Sequence, residues 1–161
     1  MKKVYLLTIS FIAISTSIFS QNVNVSGALI GNGTYATLGA AFTAINGGAQ
    51  TGATILVDIV GNTTEGAPAV LNQSTGLWAS LTISPSGGAS RTINGAIAGH
   101  LVDLNGADNV TVDGLNSGGN SLFIINTDGG SATSTIRFTN DATNNTIIRH
   151  YCPVNIQNKI P

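Results

Sequence analysis

Charge is scarce in this chain. Asp, Glu, Lys and Arg make up 8% of its 161 residues, six basic against seven acidic. Without Lys2 and Lys3 only four basic side chains remain. No basic patch is present to neutralise phosphates, which argues against nucleic acid as a partner. Cys152 is the single cysteine, so an internal disulfide is excluded. In an exported chain a lone Cys is reduced and buried, paired between chains, or part of something incomplete. A long unbroken apolar run is missing too. After Lys2-Lys3 the chain is mostly apolar to Phe19, but Thr8, Ser10, Ser15, Thr16 and Ser17 dilute it. That pattern argues against a stable membrane span and fits a secretory signal peptide over 1–20. Cleavage is expected after Ser20, leaving Gln21, or after Ser17. No Cys lies near the cut, so a lipid anchor is not expected.

What is present is apolar and small-polar. Hydrophobic residues reach 42%, enough for a core. With so little charge, the surface must come from Asn, Thr, Ser and Gly, which suit turns and β-surfaces better than long helices. The length fits one domain, 21–161 once the leader is removed. Val23 and Val25 alternate and predict a first short strand before a glycine turn. Tyr35, Leu38, Phe42 and Ile45 form an apolar stripe at helical spacing and predict a helix over about 35–46. Thr34 or Thr37 can cap its start, and Gly47-Gly48 its end. Residues 54–60 predict a buried strand. Residues 71–80 read as a loop with Trp78 near its end. Short strands then follow over 81–83, 91–95, 101–105, 110–113, 122–126, 135–139 and 146–149.

The segment 101–149 contains one pattern twice: an alternating apolar run, a small polar corner with Asn, and a second run. Val102 to Ile136 is 34 residues and Asn109 to Asn145 is 36. A corner near Asp141-Ala142-Thr143 must absorb the difference, and 116–120 and 127–134 read as extended corner loops. Asn105, Asn109, Asn140 and Asn145 fall at corners, where stacked amides can bond each other and turn backbone. Repeats of short strands and Asn/Gly/Asp corners predict an all-β chain, a right-handed parallel β-helix (solenoid). An N-terminal capping α-helix would cover the open edge of its first coil.

A resemblance supports that expectation. Tyr35-Ala36-Thr37-Leu38-Gly39-Ala40-Ala41-Phe42-Thr43-Ala44-Ile45-Asn46, Gly61-Asn62-Thr63-Thr64-Glu65, Ser84-Pro85-Ser86-Gly87-Gly88 and 104–114 are similar to the N-terminal part of large secreted surface proteins of Bacteroidetes-type bacteria. Those proteins resemble the pectate-lyase-like (pectin lyase-like) right-handed β-helix superfamily. The likeness runs to about His150 and carries no catalytic motif. It implies secreted or cell-surface placement, often with adhesin-like or repeat modules downstream and a sorting domain for type IX secretion, which is not visible here. After His150 the pattern breaks at Tyr151-Cys152-Pro153, so an incomplete fragment is expected.

Several residue sets imitate chemistry. Gly31-Asn32-Gly33-Thr34-Tyr35-Ala36 has the form G-x-G-x-x-A, with Asp58 some twenty residues later, as in dinucleotide sites. An exported chain without further βαβ units makes a plain glycine turn the better reading. Asp103, Asp108 and Asp113 recur every five residues and could bind Ca²⁺ or act with Arg91 or Arg137 as in polysaccharide lyases. Ca²⁺ needs six to eight oxygen ligands, and Asp also suits turns for backbone reasons alone. His100 and His150 do not make metal spacing with Cys152, and Cys152 lacks an activating base as a nucleophile. Trp78 with Tyr35 could stack on a sugar, but a single Trp more often fills a core edge. Thr111, Thr135, Thr139 and Thr146 do not recur at the T-x-T spacing of a flat ice-binding face. No catalytic, cofactor-binding or metal residues are therefore assigned, and no cofactor is expected.

The expected function is a non-enzymatic, structural or adhesin-like module, secreted or at the cell surface. Its expected partners are surface glycans or other cell-surface proteins. The alternative is the N-terminal part of a polysaccharide lyase or glycoside hydrolase.

Overall fold

The computed structural model describes residues 20–114 and 118–148. The expected leader 1–20 (apart from Ser20), His150, Tyr151 and Cys152 lie outside them. Within them the chain is mostly β, with one short helix. β1 (Val23–Ser26), β2 (Gly33–Tyr35) and α1 (Leu38–Ile45) come first. Then follow β3 (Thr54–Ile59), β4 (Thr63–Glu65), β5 (Ala69–Asn72), β6 (Ser80–Pro85), β7 (Ser90–Gly95), β8 (His100–Asn105), β9 (Val110–Asp113), β10 (Ser121–Asn126), β11 (Ser134–Thr139) and β12 (Thr146–Ile148). No helix among them is long and apolar enough to cross a membrane.

From β3 onward, each strand pairs in parallel with the strand three places along. The sheets run β12-β9-β6-β3-β1-β2, β10-β7-β4 and β11-β8-β5. Register places like on like. Val57, Ile83, Val112 and Ile147 form one row, and Ala69, Val102 and Ile136 another. Val57, Ile83, Val112, Ala69 and Val102 are buried. At the last strands the rows emerge: Phe138 is 45% exposed and Ile147 37%.

The expected all-β right-handed parallel β-helix with a capping helix is corrected by this topology. The strands divide into three separate sheets that do not close on one another. The largest is mixed, because β1 runs antiparallel to both β2 and β3. The edge of β3 is thus taken by a strand pair and not by the helix. Backbone geometry at the front explains the reversal. Gly27 and Gly31 have φ of +76° and +92°, a region that L side chains rarely adopt. Asn32 ties the turn shut, accepting from Ala28 N at 2.9 Å and donating to Ala28 O at 2.6 Å. The glycine turn expected before the helix therefore contains an extra strand.

The helix is shorter than its apolar stripe suggested. Tyr35 ends β2, and its hydroxyl donates to Gly31 O at 2.9 Å. Thr37 is the N-cap, accepting from Ala40 N at 3.1 Å. The Glu65 carboxylate, 4% exposed at the end of β4, accepts from Leu38 N at 2.9 Å and Gly39 N at 3.0 Å. Three of the orphan donors of the first turn are thereby satisfied. Leu38, Ala41, Phe42 and Ile45 are buried. Asn46 links the helix to β5, donating to Val70 O at 2.9 Å and accepting from Asn72 N at 3.0 Å.

The two copies of the repeated pattern also align differently from the sequence match. Val102 pairs with Ile136, 34 residues on, as expected. Thr111 pairs with Thr146, an offset of 35, so Asn109 corresponds to Asn144 and not to Asn145. Both Asn109 and Asn144 are left-handed, with φ of 57° and 54°. One extra residue, not two, is absorbed at the corner before Asn144. Asn145 does a different job: it accepts from Val110 N and donates to Ala107 O, both at 2.8 Å.

Candidate functional site

Asp103 and Arg137 are brought together on neighbouring strands in direct register. Arg137 donates through Nε at 3.2 Å and through Nη2 at 2.5 Å, a two-pronged grip. Thr139 Oγ1 donates to the same carboxylate at 3.1 Å. Burial opposes the charge on Asp103. The hydrogen bonds from Arg137 and Thr139, with the nearby Arg137 and His100 rings of positive potential, outweigh it and hold the carboxyl below its ordinary value. The same bond to Asp103 raises the Arg137 guanidinium. His100 Nδ1 lies 2.7 Å from Ser134 Oγ. This arrangement fastens β8 to β11 and leaves the carboxylate closed on the protein side.

The other candidates are dispersed. Asp108 Oδ1 accepts from Thr143 N at 2.6 Å and Thr143 Oγ1 at 2.8 Å, which ties two corners. Asp113 ends β9, and Arg91 on β7 donates to Ser86 O at 3.1 Å. The three Asp residues do not converge, and among the described residues no group of three His, Cys, Asp or Glu side chains could hold a metal ion. Thr111 and Thr146 share a row with Thr82, whereas Thr135 and Thr139 lie on β11 in another sheet.

The glycine segment of dinucleotide form approaches the helix's own backbone. A Cβ on Gly31 would lie 2.7 Å from the carbonyl carbon and oxygen of Ala44. Asp58 pairs with Asn24 across antiparallel strands. The donors at the start of α1 already hold Glu65, so the place a pyrophosphate would take is filled.

A cleft of about 250 Å³ opens where the end of α1 meets the β5–β6 connection. Ile45 and Trp78 give it apolar wall, and Asn72, Gln73, Ser74 and Thr75 give it amides and hydroxyls. Trp78 is only 4% exposed, and its Nε1 donates to Asp108 O at 2.6 Å. Tyr35 takes no part in this lining. Trp78 therefore stands at a core edge, as expected for a single Trp, while one side of its surroundings remains open. Gln73, Ser74 and Thr75 had no distinguishing sequence signal beyond lying in the polar loop that leads to Trp78.

The chain matches no family model, no curated protein and no solved structure.

Proposed function

We propose that this chain is a non-enzymatic structural or adhesin-like module that is exported to the cell surface or beyond, where it contacts glycans or partner proteins. The leader pattern of 1–20 supports the export. The observation that carries the non-enzymatic reading is the closure of Asp103 by Arg137 and Thr139. A carboxylate gripped on two sides and held below its ordinary range is poorly suited to accept or deliver a proton at neutral pH. Glu65 and Asp108 are likewise spent on backbone donors. Charges that could serve acid–base chemistry hold strands and the helix in place instead.

The alternative, a polysaccharide-active enzyme, makes a different prediction for pectin and alginate. The proposal expects no release of unsaturated or reducing ends from these or related glycans. Turnover that disappears in an Asp108→Ala variant, with folding retained, would overturn it.

A further inference from the structure

We infer that the cleft beside Trp78 is a subsite for one neutral saccharide unit. This rests on the reading of the chain as a glycan-contacting module and names the chemistry of that contact. A sugar ring presents C–H faces between hydroxyls. It needs an apolar wall with amide and hydroxyl groups around it, and Ile45 with Trp78 supplies such a wall. The bond from Trp78 to Asp108 O fixes the indole before any ligand arrives.

The polar groups around it are not all spent. Asn72 Oδ1 accepts from Asn105, which leaves the Asn72 amide hydrogens available. Ser74 Oγ accepts from Gln50 N and Gly76 N, so its own hydrogen can point elsewhere. Gln73 and Thr75 side chains have no hydrogen-bond partner among the described residues. The lining contains no charged side chain. The last carbonyls of α1 face this end of the helix and carry its partial negative charge, which disfavours carboxylates and phosphates. At about 250 Å³ the cleft lies below the usual range for drug-sized ligands and suits a single ring.

Trp78 is the only tryptophan in the chain, so its emission reports on this cleft directly. The purified protein is titrated with glucose, galactose, mannose, N-acetylglucosamine and their short oligomers, and in parallel with galacturonate and mannuronate. A saturable change is expected with at least one neutral sugar, and weaker binding of the matching uronate. A Gln73→Ala/Thr75→Ala double variant should bind about 10-fold more weakly, at an unchanged thermal midpoint, for the loss of two hydrogen-bonding groups. No saturable change with any neutral sugar would overturn the subsite, as would equal binding of the uronate or an unaltered double variant. Saturation accompanied by glycan turnover would instead sink the non-enzymatic reading and leave the subsite standing. Absence of both sugar binding and turnover would sink the subsite alone.

Discussion

Asp103 and Glu65 are buried carboxylates, and each is answered by donors rather than by solvent. Their contributions differ in how pH reveals them. Asp103 has a folded value below its unfolded one, so its contribution is complete above the unfolded value of about 3.9 and is lost as pH falls through the folded value. Thermal midpoints measured downward from about pH 5 should fall, and Asp103→Asn should flatten that acid limb. An identical acid limb in the variant would show that the pair does not matter to folding. Glu65→Ala strands the Leu38 and Gly39 amides and should cost about 1–3 kcal/mol in denaturant unfolding. Neither role was visible beforehand. Asp103 was noticed for its spacing, but its partner lies 34 residues away and depends on register. Glu65 carries no local signal, because its donors belong to a helix 26 and 27 residues earlier.

At the scale of elements, the helix and the rows of stacked side chains invite separate tests. Leu38 is buried at 1% exposure, and Leu38→Ala should cost about 2–5 kcal/mol. An unchanged melting curve would mean that α1 is not packed as described. Thr63 points into the core in register with Ile93, and its hydroxyl is buried with no hydrogen-bond partner. Thr63→Val keeps the shape and removes that orphaned group, so it should stabilise by about 1 kcal/mol. Destabilisation would indicate that the hydroxyl is satisfied after all. Strands with alternating aliphatic residues were legible: 110–113 was read with the bounds of β9, and 101–105 to within one residue of β8. β4 was missed because Thr63-Thr64-Glu65 lacks an apolar signature, and β2 because Gly33-Thr34-Tyr35 looks like a turn. The helix stripe was overextended because Tyr35 happens to fit helical spacing while its backbone is extended.

Over the whole molecule, pairing follows a three-strand cycle from β3 onward, and the first two strands break it by running antiparallel. The cycle was partly legible in the repeat of 101–149, since the 34-residue match of Val102 with Ile136 is a real register. The sheet arrangement was not, because glycine-led reversal at 27–33 leaves no hydrophobic pattern of its own. Amides extend the cycle outward: Asn105 donates to Asn72 Oδ1 at 2.8 Å, and Asn140 donates in turn to Asn105 Oδ1. Val112 sits in the middle of one such stack, 1% exposed between Ile83 and Ile147. Val112→Asp buries an unpaired charge and should unfold the region from β6 to β12, read as loss of protease resistance. Tolerance of that change would place the residue on the solvent side.

The pairing itself is open to direct observation by nuclear Overhauser spectroscopy of the labelled protein. Parallel ladders should give inter-strand contacts between backbone amide and α protons for Ile83 with Val112, Ile93 with Ile124, and Val102 with Ile136. Close α-proton pairs should be confined to β1 with β2 and β1 with β3. Close α-proton pairs between strands adjacent in sequence, such as β6 with β7 or β8 with β9, would mean antiparallel hairpins and would contradict the account.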